Sequence, residues 1–292
     1  MFRARALPVL RAVLAVGAFY AVFAGVAITA EWAQGAAIGP GTWWRTAGRG
    51  LMGLAGPPLV AVGLAYAGLV WVAGQAPATW GMPPWRPALA GAGRGLTWGI
   101  GLSAVTILLC LAGGAELRWQ AQGDERILAV AAPLALGLAG AALLEELLFR
   151  GFPLSRLAGA VGRAWAGVLL AVGFAWAHAR NPEVSGIGLA NIGLASLLLA
   201  AAFFTAGGLG TAAGLHLGWN AGLVFGADAP VSGLRFGLPG LEFAPGPRLW
   251  WTGGSFGPEG GVVATLVLGA ALAWWTREVA RVGVQREGEV AA

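Results

Sequence analysis

The chain has 292 residues, of which 58% are hydrophobic and 11% charged, with a mean hydropathy of +0.73. A soluble domain carries roughly 25% charged residues, so this composition excludes one and describes a polytopic membrane protein. The net charge of +5 comes entirely from arginines scattered between apolar runs, which argues for membrane topology and against a nucleic-acid partner.

The apolar runs are continuous rather than alternating, which predicts helices and not a barrel. About 20 apolar residues are needed to span a bilayer. Eight segments meet that measure: 8–30, 51–74, 95–114, 127–149, 161–179, 187–208, 210–227 and 260–276. The fold class is therefore all-α, with about eight transmembrane helices. The first segment follows Arg3, Arg5 and Arg11 and is longer than a signal-peptide core, so it reads as an uncleaved helix. The sixth and seventh are parted only by Gly207-Gly-Leu-Gly210 and form either a tight hairpin or one broken segment, which would make seven spans. Gly/Pro-rich linkers occupy 31–50, 75–94 and 228–259. The last is too polar to span and is expected on the outer surface, with Trp250-Trp251 at the interface.

Three parts result: N-terminal helices in 1–125, a core in 126–226, and a loop, last helix and tail in 227–292. Eight spans with the N-terminus inside put eleven arginines inside and seven outside, a bias that places both termini in the cytoplasm. The expected location is the cell membrane. The lone Cys110 excludes an intrachain disulfide and a thiolate metal cluster.

Ionisable residues inside apolar segments are functional candidates by default. The fourth segment carries Glu145-Glu146-Leu-Leu-Phe-Arg150, the fifth ends Phe174-Ala-Trp-Ala-His178, and the seventh holds His216-Leu-Gly-Trp-Asn220. His178 and His216 are the only histidines in the chain. Glu146 and Arg150 stand at i,i+4 in the favoured order for a helical ion pair, which leaves Glu145, about 100° around the helix, free. If helix continues through Arg150–Leu157 to a turn at Gly159–Gly162, Glu145 and His178 lie about equally far from the turn and so at nearly the same depth. His216 and Asn220 share one helix face and suit hydrogen bonds to an oxyanion. Alternatively, Glu145, His178 and His216 form a three-ligand zinc site with an open position for water. Phe174 reads as packing. Asn191, Ser196 and Thr205 read as interhelical contacts. Asp228 and Glu242 read as solvated loop residues.

Together the three motifs resemble the CPBP family of intramembrane proteases, which includes the type II CAAX prenyl endopeptidases. The family pattern is Glu-Glu-x-x-x-Arg, Phe-x-x-x-His and His-x-x-x-Asn or Asp on successive helices, and the match is complete and ordered over roughly 126–226. Trp251-Thr-Gly-Gly-Ser-Phe-Gly-Pro-Glu259 is also similar to the loop before the last helix in bacterial members. The resemblance implies hydrolysis of a peptide bond in a membrane-associated substrate, at a site between the fourth, fifth and seventh helices. By carry-over, Glu145 activates water, His178 holds it, His216 and Asn220 stabilise the oxyanion, and Glu146 and Arg150 support the site. Zinc and a metal-free route are equally open. Water access calls for a cavity open to the cytoplasmic side. Two other classes compete: a non-catalytic membrane partner, such as a bacteriocin-immunity or chaperone-like factor, and a proton-conducting transporter. The lack of inverted repeats counts against the transporter.

Overall fold

The computed structural model describes residues 2–35, 59–70, 74, 76–120, 127–238 and 240–291. Of the expected linker at 31–50, residues 31–35 are helical and the rest lies outside the described residues, as does the expected division at 125/126. Helix α1 spans Phe2–Gly35 and α2 Leu59–Val70. Then come α3 (Trp85–Ala112), strand β1 (Glu116–Gln120), α4 (Ile127–Phe149), α5 (Phe152–Val161) and α6 (Arg163–Ala177). They are followed by α7 (Gly186–Phe203), α8 (Gly208–Ala227), strand β2 (Gly240–Ala244), one-turn α9 (Leu249–Thr252) and α10 (Val262–Ala291). The molecule is a polytopic all-α membrane protein. Among the described residues, five stretches are long and apolar enough to cross a bilayer. Each of the eight expected segments overlaps one of α1, α2, α3, α4, α6, α7, α8 and α10. The sixth and seventh are two helices that pack against each other, which settles the hairpin against the broken segment.

Four local expectations need correction. The third helix begins at Trp85, inside the expected linker, because Pro87 falls in its first turn, where no helical N–H is required. The fourth segment does not run on through Arg150–Leu157. It breaks at Gly151 and restarts as α5 with Pro153 in the first turn, and α5 extends through the expected turn to end at Gly162 (φ 89°). A small antiparallel sheet, unforeseen in the sequence, pairs Glu116 with Ala244 and Gln120 with Gly240. The 228–259 linker is not a surface loop throughout. Ala229, Phe243 and Phe256 are buried, and the chain there folds back into the bundle.

The break at Gly151 leaves carbonyls at the end of α4 without helical partners. The only two tyrosines in the chain supply them. The Tyr20 hydroxyl donates to the Leu148 carbonyl at 2.8 Å, and the Tyr66 hydroxyl donates to that of Leu147 at 2.8 Å. The Phe152 N–H in turn donates to Tyr66 Oη at 2.7 Å. A Cβ at Gly151 would lie 1.9 Å from Tyr66 Oη, so glycine is required for this approach. Tyr66→Phe strands both a buried N–H and a carbonyl. Its expected cost is about 1–3 kcal/mol, read as a lowered unfolding midpoint in detergent, and an unchanged midpoint would sink this account of the break.

Helices α3 and α8 meet along a seam of glycines. A Cβ at Gly95 would meet the Thr211 carbonyl oxygen at 2.2 Å, and one at Gly99 that of Leu215 at 2.3 Å. From the other side, Gly214 faces the Ala92 carbonyl at 2.1 Å and Gly218 that of Leu96 at 2.3 Å. The i,i+4 spacing of small residues allows backbones to touch, the usual device of helix pairs in lipid. The seam also orients the site. His216 is two residues from both Gly214 and Gly218, so it projects about 160–200° away from α3. Gly218→Val forces the two backbones apart. It is expected to destabilise by about 1–3 kcal/mol and to lower activity through His216. A variant that keeps wild-type thermal stability would refute the seam.

Candidate active site

All six residues singled out in the sequence meet in one place. Arg150 and Glu146 are fully buried and paired, Nη1 to Oε1 at 3.1 Å. Two ions in a nonpolar interior are stable only with further hydrogen bonds. Arg150 Nη2 accordingly donates to Ser196 Oγ at 2.8 Å. The Phe174 ring lies 4.4 Å beneath the guanidinium and 4.5 Å from the His178 ring. Phe174 is therefore the platform that joins the arginine of one motif to the histidine of the next, more than generic packing. Ser196 holds Arg150 specifically. Its signal in the sequence was a lone hydroxyl in an apolar helix.

Glu145 is the reachable carboxylate. Its side chain is 31% exposed, against 0% for Glu146. Glu145 Oε2 lies 3.8 Å from His178 Nε2 and 3.9 Å from His216 Nε2, and it has no hydrogen-bond partner. The depth matching of Glu145 and His178 thus survives the break in the helix, because α5 fills the gap left by the interrupted α4. His178 caps the C-terminus of α6. Its Nδ1 lies 2.8 Å from the Phe174 carbonyl, which only accepts, so Nδ1 carries the proton and Nε2 presents a lone pair to Glu145.

The sequence offered His216 two places, beside Asn220 for an oxyanion or with Glu145 and His178 as a metal ligand, and neither foresaw its bond to Glu146. Its Nδ1 bonds Glu146 Oε1 at 2.9 Å, and its Nε2 is as close to Glu145 as His178 is. It bridges the two carboxylates. When neutral it donates to Glu146 and has no donor left for an oxyanion; only the imidazolium donates at both nitrogens. Asn220 is buried and lines the cavity beside His216, and its side chain makes no hydrogen bond to another described residue. Its carboxamide is free to donate there.

The cavity reaches from Leu102, Phe174 and His178 to Ser232 and Glu259. Glu259 is a lining residue that the motifs do not include. Its Oε1 accepts from Trp219 Nε1–H at 2.8 Å, and its Oε2 accepts from the Ser232 N–H. It thereby pins the residue next to Asn220 and the returning loop to each other. Asn191 is hydrogen-bonded in the same wall, with Nδ2 donating to the Glu259 carbonyl at 2.7 Å. The reading of Asp228 as solvated is corrected: Oδ1 is enclosed, and burial pushes its carboxyl above the ordinary carboxylate range against the pull of the Leu238 and Gly237 N–H groups. Glu242 sits half-buried, 3.9 Å from Arg235.

The cavity lies at the end of the bundle where α6 finishes, α7 begins and α8 finishes. Eight spans starting with the N-terminus in the cytoplasm would put that end outside. The two expectations, cytoplasmic termini and a cytoplasmic opening, therefore exclude each other.

Residues 127–222 match the family described as type II CAAX prenyl endopeptidase Rce1-like. This segment is similar to that family over a third of the chain. The matched third of the chain holds all six motif residues. The family is one of membrane peptidases, so the match indicates a CAAX-protease type of role in general. No curated protein and no solved structure matches the chain.

For a metal, the donor types suit zinc: one carboxylate and two imidazole nitrogens, each histidine backed through Nδ1 by an acceptor. The spacing does not close a site. Among the described residues, no three His, Cys, Asp or Glu side chains are grouped to hold an ion.

Proposed function

We propose that the protein hydrolyses a peptide bond of a membrane-associated substrate at this site, with Glu145 as the general base. The observation that carries the reading is Glu145 Oε2, which has no hydrogen-bond partner and faces His178 Nε2 at 3.8 Å on a side chain that is 31% exposed. Both atoms are acceptors. A water held between them donates one hydrogen to each, which leaves its lone pair free to attack a carbonyl carbon. Glu145 takes the proton as the tetrahedral adduct forms. The negative oxygen is met by Asn220 Nδ2–H and by His216 Nε2–H in its imidazolium form, held in place by Glu146. Glu145 then returns the proton to the leaving amine.

Glu145, His178 and His216 would be the residues to hold zinc, which when bound would act as a Lewis acid on the water or the carbonyl. The steps above do not require it. Purified protein is to be analysed for metal and then assayed on a peptide library with and without chelator. Cleavage by metal-free protein is expected, and it removes the zinc reading. Abolition by chelator with restoration by zinc establishes it. No cleavage under either condition, together with a biological phenotype that survives Glu145→Gln and His178→Ala, would overturn hydrolysis in favour of a non-catalytic partner role.

A further inference from the structure

A second cavity lies at the opposite end of the bundle from the candidate active site. It opens between the start of α1, the Pro77–Trp80 turn and α5. Arg11 and Arg156 both line it, with the hydroxyls of Thr79 and Ser155, and no carboxylate is among its lining residues. Neither arginine has a salt-bridge partner among the described residues, whereas Arg118, Arg150 and Arg235 each have one. Arg156 Nε is buried without any hydrogen-bond partner, and its guanidinium rests 5.8 Å from the Phe152 ring. A buried charged donor left unsatisfied is costly unless something outside the chain completes it. Thr79 Oγ1 donates back to the Ala76 carbonyl, so it offers the cavity only acceptor capacity, and the remaining donors converge from Arg11, Arg156 and Ser155.

Two guanidiniums and a hydroxyl around an acid-free recess suit a phosphate, whose oxygens accept forked hydrogen bonds from arginine. Position identifies the source. Arg11 lies near the start of the candidate span Leu7–Gly25, Thr79 near the start of Pro77–Ala112, and Arg156 near the end of Val130–Val161. All three places are one edge of the apolar slab, the depth of lipid headgroups, and basic pockets between helices at that depth take anionic lipids. We propose that this cavity binds a phosphate-bearing anion, presented by the headgroup of an anionic phospholipid. Bound there, the headgroup would tie α1 to α5, the helix that links the Glu145 segment to the His178 segment.

The full chain is to be placed in phosphatidylcholine bilayers carrying trace spin-labelled phosphatidylglycerol or phosphatidylcholine, and the motionally restricted lipid fraction measured. The wild type is expected to prefer phosphatidylglycerol by roughly five-fold or more. The preference should fall towards unity in R11Q/R156Q, fall in part in R11Q, and persist in R118Q. Arg11 is exposed, so R11Q alone tests the site without risk to the fold. A second arm asks whether inorganic phosphate raises the unfolding midpoint of detergent-solubilised protein in an Arg156-dependent way. That result without a lipid preference keeps the anion site and moves its source to solution. No lipid preference and no phosphate effect, or a lipid preference unchanged in R11Q/R156Q, overturns the proposal.

Discussion

Glu145→Gln is expected to reduce peptide hydrolysis by about 10³-fold, within the ~10²–10⁴ range for loss of a general base, while the unfolding midpoint stays at or above that of the wild type. The two halves of this result come from one geometric fact. Glu145 Oε2 is enclosed and makes no hydrogen bond within the folded protein. A neutral amide of the same shape at Glu145 therefore breaks no hydrogen bond of that oxygen. An oxygen that no hydrogen bond of the fold engages, between two imidazole nitrogens at 3.8 and 3.9 Å, is placed for reaction rather than for stability. The measurement is kcat on a cleaved peptide together with thermal unfolding in the same detergent. Full activity in Glu145→Gln would remove Glu145 from the mechanism. A large fall in midpoint would show that the residue is a structural one.

The convergence of these residues was legible because an apolar chain gives ionisable groups few places to go. With two histidines in 292 residues, each in an apolar run, a shared site was the economical arrangement. Helix α4 (Ile127–Phe149) coincides with the fourth expected segment, an apolar run whose only charged residues are Glu145 and Glu146. What escaped depends on contacts distant in sequence. The stop at Gly151 is completed by Tyr20 and Tyr66, 128 and 81 residues from their partners, and no local pattern announces them. The second nitrogen of His216 finds Glu146, 70 residues away, whereas i,i+4 reasoning reaches only Asn220 on its own helix. Glu259 closes the Trp251–Glu259 stretch that the sequence singled out as a loop, but nothing local shows that its side chain turns into the cavity wall. Its burial follows from Gly257 (φ 96°), whose added Cβ would strike the Pro230 carbonyl at 2.2 Å and so allows the loop to close against 228–233. Strands β1 and β2 are separated by the whole matched core, and their pairing has no sequence signal beyond two short mixed runs.

Arg150→Ala is expected to destabilise the protein by about 3–5 kcal/mol, the cost of removing one partner from a buried ion pair, and to abolish activity with it. Arg150 is 1% exposed and Glu146 is 0%. Without the guanidinium, Glu146 is left as a buried carboxylate with one hydrogen-bonded oxygen, and its Oε2 already lacks a partner. The Ser196 hydroxyl loses its donor, and the Phe174 ring loses the cation above it. His216, anchored through Glu146, then has no fixed orientation towards Glu145. The adjacent glutamates should therefore behave oppositely: Glu145→Gln removes activity and spares stability, whereas Arg150→Ala removes both through Glu146. The double variant Glu146→Gln/Arg150→Met separates the two effects. It replaces both charges at once, so it should recover much of the stability lost in Arg150→Ala, since replacing a whole buried pair by neutral groups is often close to neutral. It should not recover activity, because the substituted carboxamide no longer presents a carboxylate to His216 Nδ1. An Arg150→Ala variant melting within about 0.5 kcal/mol of the wild type, the range of an ordinary surface change, would show that the pair is not what holds the catalytic helix in place. A double variant with restored stability and full activity would show that the charge on Glu146 is not needed to orient His216.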